Sequence, residues 1–300
     1  MNIKQIFNVI ILSLVSALAL FIITACSSDN PTESTNSGTF VSKKAENKSV
    51  LLEEYTGIDC GYCPDGHRMA DSLAKAHSGI FFHINIHAGN YAAKYSTPVG
   101  NQLRQAFSIS SYPSGVLNRQ RNPTPYPGEG DYMQMRGTQW NNTTKEVLSK
   151  PAYANIAAKS EIKGRKLTVN VQIYFTDDSK VADGENYVHI ALLQDNIWGP
   201  QSGGKDFYPA MWDDAKKQYR HNHMLREMIT GVNGESVGKN TKGTLYKKTF
   251  TYDIPDKISY EDVVLKDLSI LAFITEKTPA DAKTVAPVVI NVCKSTLNVK

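Results

Sequence analysis

A C-x-x-C pair between a short apolar strand and a helix constrains this 300-residue chain more than any other feature. The pattern of apolar residues predicts a strand from Val50 to Tyr55 and a helix from Asp65 to His77. A helix N-terminus carries partial positive charge and free N–H groups, which stabilise a thiolate at Cys60. Cys63 is close enough to attack a mixed disulfide formed at Cys60. The sequence therefore predicts a thiol–disulfide exchange site, in which Cys60 attacks the substrate and Cys63 resolves the adduct.

Two further β-rich segments follow the helix. Ile80 to His87 is suited to a buried strand, and Ser111 to Leu117 places Pro113 directly before a short strand. The order strand, C-x-x-C, helix, strand, helix, X-Pro, strand resembles the thioredoxin fold. In that fold a cis-proline faces the cysteine pair and receives the backbone of the substrate, and Tyr112-Pro113 matches that position. The resemblance implies an α/β thioredoxin-like domain in which Pro113 is a catalytic residue beside the two cysteines.

The cysteine pair also departs from an efficient thioredoxin. Asp59 precedes the first cysteine, where thioredoxins carry Trp, and a carboxylate there disfavours the thiolate through like-charge repulsion. The spacer Gly61-Tyr62 lacks the proline of thioredoxin. Two interpretations therefore stay open from the sequence: a redox-active pair, and a structural disulfide between Cys60 and Cys63.

A metal site is a competing interpretation of the same residues. Cys60, Cys63 and His67 follow the spacing C-x2-C-x3-H, and His83 and His87 lie on the next predicted strand. Two thiolates with one or two imidazoles would suit Zn²⁺ or Cu⁺. A closed structural site normally takes its other ligands from a second tight pair, and the sequence has none at a matching spacing. We therefore predict no metal and no other cofactor.

Three segments resemble the outer-membrane-protein-28-like family of bacterial lipoproteins. They are LLEEYTGIDCGYCPDGH around the cysteine pair, YPSGVLNR after it, and HNHMLREMI further downstream. The resemblance implies a thioredoxin-like domain followed by a β-rich domain, a lipid anchor and a position in the outer membrane. Members of the family have been considered as surface adhesins or receptors, and their redox role is inferred from the fold.

The beginning of the chain has the pattern of an export signal. Lys4 supplies a positive start, the run from Val9 to Ile23 is largely apolar, and small residues precede Cys26. A cysteine at the cleavage site resembles a lipoprotein signal, in which acylation of Cys26 (a diacylglycerol, and chains such as palmitate) anchors the protein on a bilayer. An uncleaved transmembrane anchor is the alternative. Ser27, in place of Asp, favours the outer membrane, and the polar residues 26–48 predict a flexible tether.

The second half of the chain predicts an all-β sandwich, immunoglobulin-like or jelly-roll-like. Its candidate strands share alternating or continuous apolar residues and lie at 167–175, 188–192, 246–254, 268–275 and 288–293. The last two runs are apolar enough to be buried on both faces. The odd cysteine, Cys293, is predicted to act as a small buried hydrophobe.

These patterns predict four segments: a lipoprotein signal peptide (1–25), the tether (26–48), a thioredoxin-like domain (49–150) and the sandwich (151–300). A proline- and glycine-rich loop at 119–130 and a polar helix from Asp131 to Lys150 close the first domain. The longest connection in the second, Asp195 to Gly243, is rich in aromatic residues. It could form a binding surface, but we expect it to pack against the sandwich edge or the first domain.

Charge patterning excludes one class of partner. Lys and Arg total 33 against 29 Asp and Glu, without a basic stripe, so a nucleic acid is not expected. Two functions then fit: an extracytoplasmic thiol–disulfide oxidoreductase that acts on protein or peptide thiols and disulfides, and a surface adhesin or receptor in which the disulfide is structural. A Cys60→Ser substitution separates them, since it abolishes exchange in the first case and leaves binding of a surface ligand intact in the second.

Overall fold

The computed structural model describes residues 38–122, 124, 134–181, 185–276 and 287–300. The predicted signal peptide, Cys26 and the first part of the predicted tether lie outside these residues. Residues 39–300 form one compact unit. Among the helices in the described ranges, none has the length and apolar character that crossing a bilayer requires.

The first half of the chain alternates strands and helices. In chain order these are β1 (Val50–Thr56), α1 (Cys63–Ala76), β2 (Phe81–His87), a 3₁₀ helix (Asn90–Tyr95), α2 (Pro98–Ala106), β3 (Ser114–Leu117), β4 (Gln134–Met135) and α3 (Gly137–Leu148). Of the helix predicted from Asp131 to Lys150, residues 131–133 lie outside the described residues, and the helix that the structure describes begins at Gly137. Its start is fixed because Met135 pairs with β3 and the Gln139 side chain accepts a hydrogen bond from the Arg136 N–H at 2.9 Å.

The second half is built almost entirely of strands, which confirms the predicted alternating and apolar runs. The elements are β5 (Ala154–Lys163), β6 (Lys166–Phe175), β7 (Asn186–Gln194), β8 (Ile197–Gly199), α4 (Gly204–Phe207), a 3₁₀ turn (Pro209–Met211), β9 (Trp212–Asp213), β10 (Gln218–His221), β11 (Met224–Met228), β12 (Glu235–Gly238), β13 (Leu245–Asp253), β14 (Lys257–Ile258), β15 (Glu261–Asp262), a 3₁₀ turn (Leu265–Asp267), β16 (Leu268–Glu276), β17 (Val289–Lys294) and β18 (Thr296–Val299).

One nine-stranded sheet contains strands from both halves. Its order is β17-β16-β7-β11-β2-β1-β3-β4, with β12 pairing to β7. Strand β11 makes the connection, because it runs antiparallel to β7 and meets β2 in parallel where Met224 is opposite Asn85. Strands from before and after the predicted domain boundary at residue 150 therefore belong to one continuous sheet. The chain is mostly β with few helices.

The central strand β7 is buried on both faces because its side chains alternate between two cores. Val188, Ile190 and Leu192 pack towards a second sheet of order β13-β6-β5-β18, which completes a two-layer arrangement. Ala191 and Leu193 join the core on the opposite face, which also contains residues of β1, β2 and α2. Helices α1 and α3 cover the strands of the first half through a third apolar cluster.

The last part of the predicted tether lies against this folded unit. Val41 is buried, and the Phe40 N–H donates to the Gln172 side chain at 2.8 Å. The amide of Asn155 donates to the carbonyls of Ser42 at 3.0 Å and Lys44 at 2.6 Å. These contacts hold part of the predicted flexible tether, from Phe40 to Lys44, against the folded unit.

A buried ion pair joins β1 to the loop after β3. Arg119 donates to both carboxylate oxygens of Glu53, at 2.8 and 2.7 Å, and both side chains are 1% exposed. The guanidinium lies over the rings of Phe107 and Phe273, at 5.0 and 5.1 Å from their centroids. Because Phe273 belongs to β16, this pair also connects the two halves of the chain.

Candidate functional site

The C-x-x-C pair lies at the amino end of α1, as the sequence predicts. Cys60 and Cys63 form a disulfide, and Cys63 is the first residue of the helix. Cys63 is completely buried and Cys60 is 7% exposed, whereas Tyr62 between them is 68% exposed. Cys60 is therefore the more accessible of the two cysteines.

Pro113 lies against the first turns of the same helix. The Tyr112–Pro113 peptide bond is cis. A Cβ atom built on Gly66 would be 2.9 Å from Pro113 Cβ, which means that the helix backbone rests directly on this proline. The structure thus brings Pro113 next to the helix turn that begins with Cys63.

A buried glutamate that belongs to none of the predicted site residues lies beneath this turn. Glu54 on β1 is completely buried, and its carboxyl oxygens have no hydrogen-bond partner among the described residues. A Cβ atom on Gly66 would be 2.5 Å from Glu54 Oε1, so the carboxyl group touches α1. Burial, and then the charge of Asp71, raise the pKa of Glu54 well above its usual value. The raised pKa favours the neutral form of the Glu54 carboxyl group.

A buried imidazole lies beside the glutamate, because His67 Nε2 is 3.9 Å from Glu54 Oε1. His67 Nε2 lies 2.9 Å from Thr56 Oγ1, and its Nδ1 lies 3.0 Å from the Tyr219 hydroxyl. Burial, and then the proximity of His221, lower the pKa of His67 to about 3. Burial also lowers the pKa of His221 to about 4 and that of His87, whose ring centroid is 5.2 Å from that of His221, well below its usual value.

This arrangement does not assemble the Cys60, Cys63 and His67 ligand set considered as the metal alternative. Both sulfur atoms are used in the disulfide, and a disulfide sulfur is not a thiolate ligand. Both ring nitrogens of His67 already have hydroxyl partners. His83 lies next to Asp71 and His223 instead.

The aromatic connection between Asp195 and Gly243 packs against the cysteine turn, which confirms the packing role expected for it. The side-chain amide of Gln201 donates to the Cys60 carbonyl at 3.1 Å, and the Ser202 N–H donates to the Ile58 carbonyl at 2.8 Å. The ring of Phe207 lies 5.0 Å from that of Tyr62, centroid to centroid. Residues distant in sequence thus complete the walls of the disulfide site.

Cys293, the remaining cysteine in the described ranges, lies on β17 far along the chain from this site. It is partly exposed in the structure and packs against the sandwich core. Burial of its thiol raises its pKa to about 12. The predicted role as a small hydrophobe is confirmed in part, because Cys293 packs against the apolar core but is not completely buried.

The fold and site define a mostly β protein in which a disulfide-bonded C-x-x-C turn is embedded in a sheet shared by both halves. The chain belongs to the Omp28 family, because the family model described as "Outer membrane protein Omp28" matches residues 100–300. The match begins after the cysteine pair. Membership in an outer-membrane protein family agrees with the predicted position in the cell envelope.

Solved structures are similar to this chain over different lengths. HBP35 of Porphyromonas gingivalis is 19% identical and matches 84% of this chain and 76% of that chain with a TM-score of 0.62, which shows a shared fold. A domain of the outer membrane lipoprotein Omp28 from Porphyromonas gingivalis is 21% identical over 50% of this chain and 91% of that domain, with a TM-score of 0.30. No curated protein matches the chain.

Proposed function

We propose that the protein is a thiol–disulfide oxidoreductase of the thioredoxin-like class, anchored in the outer membrane through acylated Cys26. The observation that carries this proposal is the position of the Cys60–Cys63 disulfide at the amino end of α1, with Pro113 packed against that helix. The partial positive charge of the helix end favours a thiolate when the pair is reduced.

The exchange proceeds through the two sulfur atoms in sequence. In the reduced protein the Cys60 thiolate attacks a substrate disulfide, and the first substrate sulfur leaves as a thiolate. Cys63 then loses its proton and attacks the Cys60 sulfur, which releases the second substrate sulfur and forms the Cys60–Cys63 disulfide. Two electrons pass from the cysteine pair to the substrate, and the reverse sequence oxidises a substrate dithiol.

Glu54 is the proton carrier for the buried cysteine in this proposal. The carboxyl group touches the turn of α1 that begins at Cys63, and the raised pKa favours its protonated form in the oxidised protein. It can give its proton to the Cys63 sulfur when the disulfide opens. As a carboxylate it can then accept that proton again when Cys63 attacks.

Aromatic side chains around the cysteine turn offer an apolar surface for a protein or peptide substrate. Tyr62 and Phe207 contact each other and are 68% and 36% exposed. Tyr91 is half exposed, its ring centroid is 5.8 Å from that of Tyr112, and its carbonyl accepts a hydrogen bond from the Asp59 N–H at 3.0 Å. Exposed aromatic residues of this kind are typical anchors in protein interfaces.

The proposal is tested with single cysteine variants of the full-length chain in detergent. We expect Cys60→Ser to abolish exchange with a disulfide-bonded peptide, and Cys63→Ser to accumulate a mixed disulfide between Cys60 and that peptide, seen by mass spectrometry. Cys293→Ser is the matched control and keeps wild-type turnover. Turnover that survives Cys60→Ser would exclude this mechanism, and a wild type without exchange would favour the adhesin or receptor function.

A further inference from the structure

We propose that Asp71, His83 and His223 bind a divalent transition-metal ion of the Zn²⁺ type. The three residues come from α1, from β2 and from the turn between β10 and β11. This inference does not rest on the proposed exchange activity, because no cysteine takes part in the site.

The ligand atoms are already close to the spacing that a metal requires. Asp71 Oδ1 lies 3.1 Å from His83 Nε2 and 4.0 Å from His223 Nε2. One ligand atom from each residue lies within 4.8 Å of the others. Ligands at about 2.0–2.1 Å from a tetrahedral Zn²⁺ are roughly 3.4 Å apart, so only small side-chain rotations are needed.

Each ligand is held by a partner on the side that faces away from the proposed ion. Tyr208 donates a hydrogen bond to Asp71 Oδ2 at 2.8 Å, which leaves Oδ1 towards the imidazoles. His223 Nδ1 lies 3.3 Å from Asp195 Oδ1, and His83 Nδ1 lies 3.4 Å from Asn85 Oδ1. Such outer contacts place the proton on Nδ1 and direct the Nε2 lone pair to the metal, as in the carboxylate–histidine–zinc arrangement.

His83 supplies an independent indication of a ligand. The residue is 4% exposed, and its Nε2 has no partner with the geometry of a hydrogen bond in the described part of the chain. A buried nitrogen that has an ion-pair contact but no well-aligned hydrogen bond is poorly satisfied, and a bound ion would satisfy it better. Its nearest polar neighbour, Asp71 Oδ1, is the second proposed ligand.

The backbone at His223 is held in an uncommon conformation. Its φ angle is +53°, in the left-handed region, and its N–H donates to Asp195 Oδ1 at 2.6 Å. Its carbonyl accepts a hydrogen bond from the Asn85 N–H at 2.8 Å. Two fixed hydrogen bonds therefore maintain a conformation that brings this imidazole to Asp71 and His83.

The donor set selects the class of metal. Two imidazoles and one carboxylate suit Zn²⁺ and similar borderline ions, whereas Ca²⁺ and Mg²⁺ prefer oxygen ligands alone. Three protein ligands leave one position for water or an exogenous ligand. Asp71 also lines a small, partly open cleft that Asn85, Arg220 and Asn222 border.

The test is a zinc titration of the full-length, oxidised chain in detergent, with a chromophoric chelator as competitor. We expect one equivalent of Zn²⁺ per chain and a loss of affinity of about 100-fold or more in His223→Asn, because Asn tolerates the left-handed backbone but is a poor zinc ligand. Asp195→Asn, which changes only an outer contact, is expected to weaken binding by about 10-fold. His77→Asn, at the end of the same helix, is the matched control and leaves the affinity unchanged.

Asp71→Asn is a second ligand variant, on a partly exposed side chain, in case His223→Asn fails to fold. A Cys60→Ser/Cys63→Ser double variant should keep full zinc affinity, and this result separates the metal site from the exchange site. Binding that is absent in the wild type, unchanged in both ligand variants or lost in the cysteine double variant would overturn the proposal.

Discussion

Replacing Gly66 by alanine is expected to destabilise the protein, although the residue lies inside a helix. Replacing Gly by Ala in a helix interior normally raises the free energy of unfolding by about 0.5–1 kcal/mol. Here the new Cβ atom would lie 2.5 Å from Glu54 Oε1 and 2.9 Å from Pro113 Cβ. Glu54 is completely buried and Pro113 is a ring, so neither atom can withdraw easily.

Overpacking of this kind costs about 1–3 kcal/mol, which exceeds the gain in helix propensity. We expect a net loss of about 1–2 kcal/mol in the free energy of unfolding. Urea unfolding of the oxidised chain measures it, with tryptophan fluorescence as one probe, because Trp140 of α3 is buried in the apolar cluster that α1 and α3 share.

Gly61→Ala, in the C-x-x-C turn just before α1, is the control. A Cβ atom there would meet nothing within 4 Å among the residues that the structure describes, so the free energy of unfolding should change by less than about 0.5 kcal/mol. If Gly66→Ala proved as stable as the wild type or more so, the close packing of α1 on Glu54 and Pro113 would be refuted.

Three further substitutions test the interior of the protein. Arg119→Met should lower the free energy of unfolding, measured in urea, by about 3–5 kcal/mol, because it leaves the buried Glu53 carboxylate without its partner. A loss below about 1 kcal/mol would contradict the stabilising role of this ion pair. Glu54→Gln should slow thiol–disulfide exchange by about 100-fold in a stopped-flow assay, whereas an unchanged rate would remove Glu54 from the mechanism. The pKa of His67 is about 3 when folded, chiefly through burial, against 6.5 for the free side chain. The unfolded chain therefore binds more protons between these pH values, and the free energy of unfolding falls as the pH falls through this window. His67→Gln should make the free energy of unfolding less dependent on pH there. The same pH dependence in both proteins would argue against a buried neutral His67.

The features predicted most completely from the sequence depend on local patterns. The apolar run of β1, the cysteine pair and the periodic helix after it lie within one short segment, so each could be placed without knowing the rest of the fold. The apolar runs that became β16 and β17 were predicted correctly for the same reason. A strand buried on both faces has a continuous apolar sequence.

Strand β11 was not predicted, so the single sheet that joins the two halves of the chain was not predicted either. The strand has only five residues, its sequence MLREM does not alternate, and a bulge interrupts its pairing with β7 between Leu225 and Glu227. Its Arg226 is completely buried and donates to the carbonyls of Ile258 and Glu261. A charged residue inside a short segment indicates a loop when the sequence is considered alone, because its partners are distant along the chain.

The two groups of polar residues beneath the surface were also beyond local pattern analysis. Glu54 could have been noticed as a carboxylate within an apolar strand, which is uncommon without a function. Asp71 carries no such signal, because a helix surface normally contains acidic residues. Its proximity to His83 and His223 arises only when β11 brings the second half of the chain beside β2.

The reduction potential of the Cys60–Cys63 pair tests the central claim most directly. The full-length chain is equilibrated with glutathione or dithiothreitol buffers, and the fraction of disulfide is measured after thiol alkylation. An exchange catalyst should have a potential between about −120 and −270 mV. A value below about −300 mV would identify a structural disulfide and contradict the proposed function.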